Sequence, residues 1–190
     1  MQLQGLKLIL ASKSPRRQEL LRILGWDFEI KTKEVDEIYP PHLKKEEVAL
    51  YLSELKAKAF QEELAENTVV ITADTIVCID DLILGKPTDV EDAKRMLRIL
   101  SGRMHEVMTA VSLQSRNKFK SFYCRSEVFF KPLTEEEIAY YLDTWKPFDK
   151  AGSYGVQDWM GLVGMEKING SYYNVMGLPV KELYEALLQF

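Results

Sequence analysis

Cysteine is scarce: Cys78 and Cys124 are the only two in 190 residues, and both stand in apolar, strand-like runs without C-x-x-C spacing. That excludes a disulfide framework and a thiolate zinc site, and the pair reads as buried thiols of a reducing cytoplasm. Histidine is equally scarce, with His42 and His105 alone, which removes a histidine-rich metal centre. No run approaches the roughly 18–20 apolar residues of a membrane-spanning helix, and no secretory signal is expected. Positive charge is not in excess either. The formal net charge of -4 offers no general attraction for nucleic acid or an anionic membrane, so any anion site must be a local cluster of Lys and Arg. Internal repeats, low-complexity tracts and linkers are absent, and one domain over residues 1–190 is expected.

What is present is the balance of a globular protein, 46% hydrophobic and 28% charged. "LKLILA" is a short apolar strand. Ser14 as N-cap, Pro15 in the first turn, a Leu20, Leu21 and Leu24 stripe and the stop at Gly25 define the helix that follows. "WDFEIKT" alternates Trp26, Phe28 and Ile30 inward as a half-buried strand. After the loop "EVDEIYPPHL", Val48, Leu52, Leu55 and Ala59 recur at helical spacing between about Lys44 and Leu64. "TVVITADTIVCID" reads as one long strand, and "DDLILGKP" turns the chain. Capping boxes are predicted at Thr88/Glu91 and Thr134/Glu137. "EVMTAVSLQ" and "FKSFYCRSEVFF", joined by "SRNK", look like an antiparallel pair, and Asn169-Gly170 predicts a hairpin between "LVGMEKI" and "SYYNVM". Pro179 opens a terminal helix with Val180, Leu183, Leu187 and Leu188 inward. The expectation is an α/β fold with a mixed sheet.

Several polar residues break these patterns. Arg16 and Arg17 occupy the first turn of a helix, where cations are disfavoured by roughly 0.3–1 kcal/mol; either they are simply solvated or ion-paired, or an anion sits before them. Asp74 stands amid Val70, Ile71, Ile76 and Val77, so it needs a cationic partner, as a structural salt bridge or as a catalytic base or metal ligand. Lys56 falls within the apolar arc of its helix, and either snorkels or faces a phosphate or carboxylate. Glu37 lies in an acid-rich loop, and Lys86 in "LGKP" sits on a rigid turn that is not a Walker A loop. His105 reads as a satisfied strand-end histidine or a general base. Four cations suit a polyphosphate and two carboxylates suit Mg²⁺, which takes composition and spacing as far as a phosphate-ester or polyphosphate site.

"LASKSPRRQELL", "VDE", "LKAKA", "ITADTIV", "LGKP", "SGRMHEVMTAV", "KAGSYGVQ" and "GSYYNVMGLPV" together resemble, in order and spacing, the Maf family of nucleoside triphosphate pyrophosphatases, from about Leu8 to Val180. The resemblance implies a mixed twisted sheet flanked by helices, in two lobes around a central cleft, similar to the inosine-triphosphate pyrophosphatases. It implies hydrolysis of a nucleoside triphosphate to monophosphate and pyrophosphate with a divalent cation, Mg²⁺ or Mn²⁺. Asp74 matches the proton acceptor, Glu37 a second essential carboxylate near the metal, Lys56 and Lys86 the site lysines, and Ser12 and Arg17 the phosphate-binding loop. Arg16, Thr75 and Gln157 resemble the branch acting on dTTP and UTP; a glutamine amide pairs donor and acceptor with the N3–H and carbonyl edge of thymine or uracil. Asp158 stands where the family commonly has glycine. A cytoplasmic homodimer, house-cleaning of nucleotide pools and a link to arrest of cell division belong to the same implication. The alternatives are a non-catalytic regulator of septation and a pyrophosphatase for ITP, XTP or another modified nucleotide.

Overall fold

The alternation of short apolar strand and amphipathic helix at the start of the sequence builds parallel pairing. A computed structural model describes Leu3 and residues 5–190. Strand β1 (Lys7–Leu10) leads through Ser14, whose Oγ accepts the Arg17 N–H, into helix α1 (Pro15–Ile23). The chain returns as β2 (Phe28–Ile30), parallel to β1. Helix α2 (Glu46–Lys58) then precedes β3 (Thr68–Ile79), which pairs with the other side of β1, again parallel. Strand β4 (Leu82–Leu84) forms a hairpin with β3, with Asp80 at φ 53° in its two-residue turn. Helix α3 (Val90–Leu100), β5 (Met104–Gln114), β6 (Phe119–Phe130), α4 (Glu135–Trp145), the short α5 (Trp159–Val163), β7 (Met165–Asn169), the short α6 (Tyr172–Met176) and α7 (Val180–Leu188) follow. The strands make one mixed sheet in the order β2-β1-β3-β5-β6-β7, with β4 on β3. The expected α/β fold with a mixed sheet is therefore found.

The chain divides into two compact units. The first runs through Asp74 and includes Thr109–Cys124 and Gly177–Phe190; the second comprises Thr75–Met108 and Arg125–Met176. Each has its own apolar packing. Ile9, Phe60, Leu64 and Val70 cluster in the first, and in the second Leu97, Leu100, Val128 and Ile138 lie in a larger core. Among the described residues no helix is long and apolar enough to cross a membrane.

Local details depart from expectation where a distant partner outweighs a local signal. β2 is a three-residue edge strand, so Trp26 is buried, stacked on Tyr184 at 5.3 Å, whereas Ile30 is exposed. α2 stops at Lys58, and a short 3-10 turn covers Gln61–Glu63. The cap of α3 is Asp89, one residue later than predicted: its carboxylate accepts the Asp92 N–H at 2.8 Å, while Asp92 accepts the Thr88 N–H and Glu91 turns to Lys94. The Thr134/Glu137 capping box forms as predicted. Asn169-Gly170 does not turn a hairpin. Ser126 Oγ accepts both the Ser171 N–H and the buried Asn174 amide, which also donates to the Val107 carbonyl, and this anchorage carries the chain into α6. Leu188, expected inward, is exposed at the end of α7. Cys78 is buried as expected, but Cys124 is only half-buried; that burial and the charge of neighbouring Glu182 push its thiol up to about 12.

His105 is a buried strand histidine, but only half satisfied: Nε2 is paired, whereas Nδ1 is buried with no hydrogen-bond partner among the described residues. Its Nε2 lies 2.7 Å from the Tyr154 hydroxyl, with Phe130 edge-on, and burial holds its pKa down at about 4. Since the folded value lies below the unfolded one of 6.5, its contribution is complete above pH 6.5 and is lost as pH falls towards 4. The loss is about 3 kcal/mol. Denaturant unfolding at pH 7 and pH 4.5 should show a steeper acid destabilisation in the wild type than in His105→Gln; equal slopes would contradict a neutral buried imidazole.

Candidate active site

Alternation along β3 turns Thr72 and Asp74 to the same face, and both meet α2, where Ser53 and Lys56 lie three residues apart on one side. The Thr72 hydroxyl donates to the Ser53 carbonyl at 2.7 Å, and the Ser53 and Ser112 hydroxyls lie 2.9 Å apart. This buried hydroxyl set fastens helix to sheet. One turn further on, Lys56 Nζ donates to Asp74 Oδ1 at 2.5 Å and pairs with Glu37 Oε1 at 3.0 Å. Lys56 therefore faces carboxylates, and Asp74 has the cation that its apolar strand required. Burial drives the Asp74 pKa up; Lys56 and Arg17 pull the other way without cancelling the rise. Glu37 reaches Lys56 from the irregular segment after β2. That segment is tied down by Lys33, which donates to the Ala59 carbonyl at 2.7 Å and pairs with Glu63 at 2.6 Å.

The anion-ready start of α1 is adjacent in charge. Arg17 is acted on by Asp74, Glu37 and Arg16, while burial lowers its pKa. It is also fastened to the main chain: Nε donates to the Gly177 carbonyl at 2.8 Å and Nη1 to the Ala73 carbonyl at 2.7 Å. Two of its donors thus hold α1, β3 and the approach to α7, a structural duty that the sequence reading of a phosphate-binding arginine lacked. Ser12 is buried and its Oγ accepts the Ser14 N–H at 3.2 Å. Arg16 is half-buried.

The remaining sequence candidates belong to the second unit. Thr75 is half-buried, directly after Asp74 in β3. Lys86 is exposed on the segment after β4, and the neighbouring Gly85 carbonyl accepts the Gly152 N–H at 3.0 Å. Gln157 is exposed in a turn closed by the Asp158 N–H on the Gly155 carbonyl at 3.1 Å.

The hydroxyl set was missed from sequence, although Thr72, two residues before Asp74, was a visible polar interruption in an apolar run. Among the described residues no group of three or more His, Cys, Asp and Glu side chains is placed to cage a metal. Glu37 and Asp74, converging on one ammonium, supply two hard oxygen donors. Such a pair suits a Mg²⁺ or Mn²⁺ ion that completes its shell with phosphate oxygens and water.

Three relatives are similar over nearly their whole length, each named dTTP/UTP pyrophosphatase. The protein from Bacteroides fragilis is 51% identical, covering 96% of this chain and 95% of the relative. That from Porphyromonas gingivalis is 49% identical, covering 99% and 96%. That from Flavobacterium johnsoniae is 48% identical, covering 97% and 95%. Among solved structures, a HAM1 protein from Coxiella burnetii aligns with a TM-score of 0.49 at 18% identity, over 97% of this chain and 100% of that one. The family model described as Maf-like protein matches residues 7–190. With that match and these relatives, the chain belongs to the Maf family.

Proposed function

We propose that this chain is a nucleoside triphosphate pyrophosphatase that hydrolyses dTTP and UTP to the monophosphate and pyrophosphate, the whole chain acting as one catalytic domain. The observation that carries the reading is the convergence of Asp74 and Glu37 on Lys56, with Asp74 made a stronger base by burial. Relatives of about half-identical sequence carry that activity in their names. In the reaction, water attacks the α-phosphorus, the bond from that phosphorus to the oxygen bridging to the β-phosphate breaks, and pyrophosphate leaves with the bridging oxygen. Asp74 takes the proton of the attacking water. Lys56 neutralises the carboxylate pair before substrate arrives. Ser12, Arg16, Arg17 and Lys86 are assigned to the phosphates, and Thr75 and Gln157 to nucleotide choice. A divalent cation held by Glu37 and Asp74 would supply charge neutralisation at the phosphate oxygens. A cytoplasmic homodimer is the setting we expect.

Pyrophosphate release from dTTP, UTP, CTP, GTP, ITP, XTP and 7-methyl-GTP with Mg²⁺ or Mn²⁺ tests this. Turnover of dTTP and UTP above the rest is expected. Preference for ITP or XTP would keep the chemistry and replace the substrate, and no turnover by any nucleotide would favour a non-catalytic role in septation. Gln157→Glu should lower kcat/KM for dTTP about 100-fold, since the carboxylate cannot donate to a base carbonyl; an unchanged dTTP preference would remove Gln157 from base recognition.

A further inference from the structure

The turn that presents Gln157 is held at both ends by one buried phenol. Tyr141, on α4 and completely buried, accepts the Gly155 N–H on its hydroxyl oxygen at 3.1 Å and donates to Asp158 Oδ2 at 3.0 Å. Gly155 and Asp158 are the first and fourth residues of the turn, and Gln157 is the third. Lys150 Nζ approaches the same Asp158 oxygen at 3.5 Å and Asp149 at 2.8 Å, so the carboxylate is compensated. The packing leaves no slack. A Cβ on Gly155 would lie 2.5 Å from Asp158 Oδ2, and one on Gly161 would run into the Val156 carbonyl. Trp159, next in the chain, packs against Tyr140 at 5.1 Å between ring centres.

We propose that Tyr141 and Asp158 are specificity-positioning residues: their hydrogen bonds lock the Gly155–Asp158 turn so that the Gln157 amide is presented to the base in one orientation. This rests on the reading of Gln157 as the base-contacting residue. An exposed amide on a loose turn reaches several base edges, because movement of the backbone redirects the whole side chain. A turn with both ends fixed gives up that choice, and selectivity follows from the polar groups a wrong base leaves unpaired. Burial and the Asp158 charge raise the Tyr141 pKa, so the phenol keeps the proton that it donates.

The test measures kcat/KM for dTTP and GTP in wild type, Tyr141→Phe, Asp158→Ala, Gln157→Ala and the double variant Tyr141→Phe/Gln157→Ala. Tyr141→Phe keeps the ring and removes only the hydroxyl, and the dTTP:GTP ratio should fall about five- to ten-fold, through KM for dTTP with kcat for GTP unchanged. Asp158→Ala, which removes the acceptor of the phenol proton, should behave alike, and provides the answer if Tyr141→Phe does not fold. The double variant should discriminate no worse than Gln157→Ala alone, since the phenol acts through that residue. If Gln157→Ala shifts the ratio while Tyr141→Phe and Asp158→Ala leave it at the wild-type value, the anchorage proposal is overturned and the base reading stands. If Gln157→Ala leaves the ratio unchanged, the base reading fails and takes the proposal with it. A uniform loss on both nucleotides would mark the phenol as structural only and overturn the proposal.

Discussion

Asp74→Asn should lower turnover of dTTP by about a hundred- to ten-thousand-fold while leaving the protein at least as stable at pH 7. The first half follows from its assignment as proton acceptor: an amide keeps the shape and removes the basic lone pair, and general-base catalysis accounts for about that range. The second half follows from linkage. Burial raises the Asp74 pKa above its ordinary value of 3.8, so the folded form binds that proton more readily than the unfolded one. Its favourable contribution is complete below 3.8 and is lost as pH rises through the folded value, leaving an ionised buried carboxylate as a net cost at neutral pH. Asparagine carries no such cost, and Lys56 retains Glu37 at 3.0 Å. Thermal melts at pH 7 and pH 4 beside pyrophosphate release would check both halves. Full activity in the variant would place the base elsewhere; a large fall in Tm at pH 7 would mean that the Lys56 pair outweighs the desolvation.

Lys56→Met should be damaging in both respects. It matches the lysine stem in length and removes the ammonium that pairs with both carboxylates, whose side chains differ in exposure, 11% for Asp74 and 50% for Glu37. Removing one partner of a buried pair costs about 3 kcal/mol or more, roughly 6–12 °C in Tm for a chain of this size. Lys56 also holds the Asp74 pKa down, so without it that pKa rises further and the deficit shrinks as acid protonates Asp74. The Tm gap between wild type and variant should therefore be wide at pH 7 and narrow at pH 4, with pyrophosphate release lost throughout. Lys56→Arg, which keeps the charge on a planar fork, should recover most of the stability and little of the turnover. A gap independent of pH would mean the loss is one of packing.

Elements with their determinants close in sequence were legible: Ser14 and Pro15 start α1, and Thr134 with Glu137 starts α4. Lys56 and Asp74 were legible as anomalies because charge inside an apolar pattern needs a reason. Their mutual contact was not, since it depends on how α2 lies against β3. Arg17 marks the limit more sharply. Its partners are the main-chain carbonyls of Ala73 and Gly177, and no side-chain pattern announces a carbonyl acceptor. The Asn169-Gly170 turn failed for a related reason, because Ser126, 45 residues before Ser171, captures the following segment. Tyr141 carries no signal of its own in the sequence; only the fold reveals that its hydroxyl meets the Gln157 turn.

The state of the two thiols makes this protein convenient for site-specific chemistry. Cys78 is enclosed, and a Cys124 thiol pushed up to about 12 is ionised at pH 7 in only about one molecule in 100,000. Maleimides and other thiolate-seeking labels would find almost nothing to react with. A single cysteine introduced at exposed Glu34, three residues before Glu37, would then carry a fluorophore or spin label against a silent background. The carboxylate-bearing segment could be followed during nucleotide turnover without first removing the native cysteines.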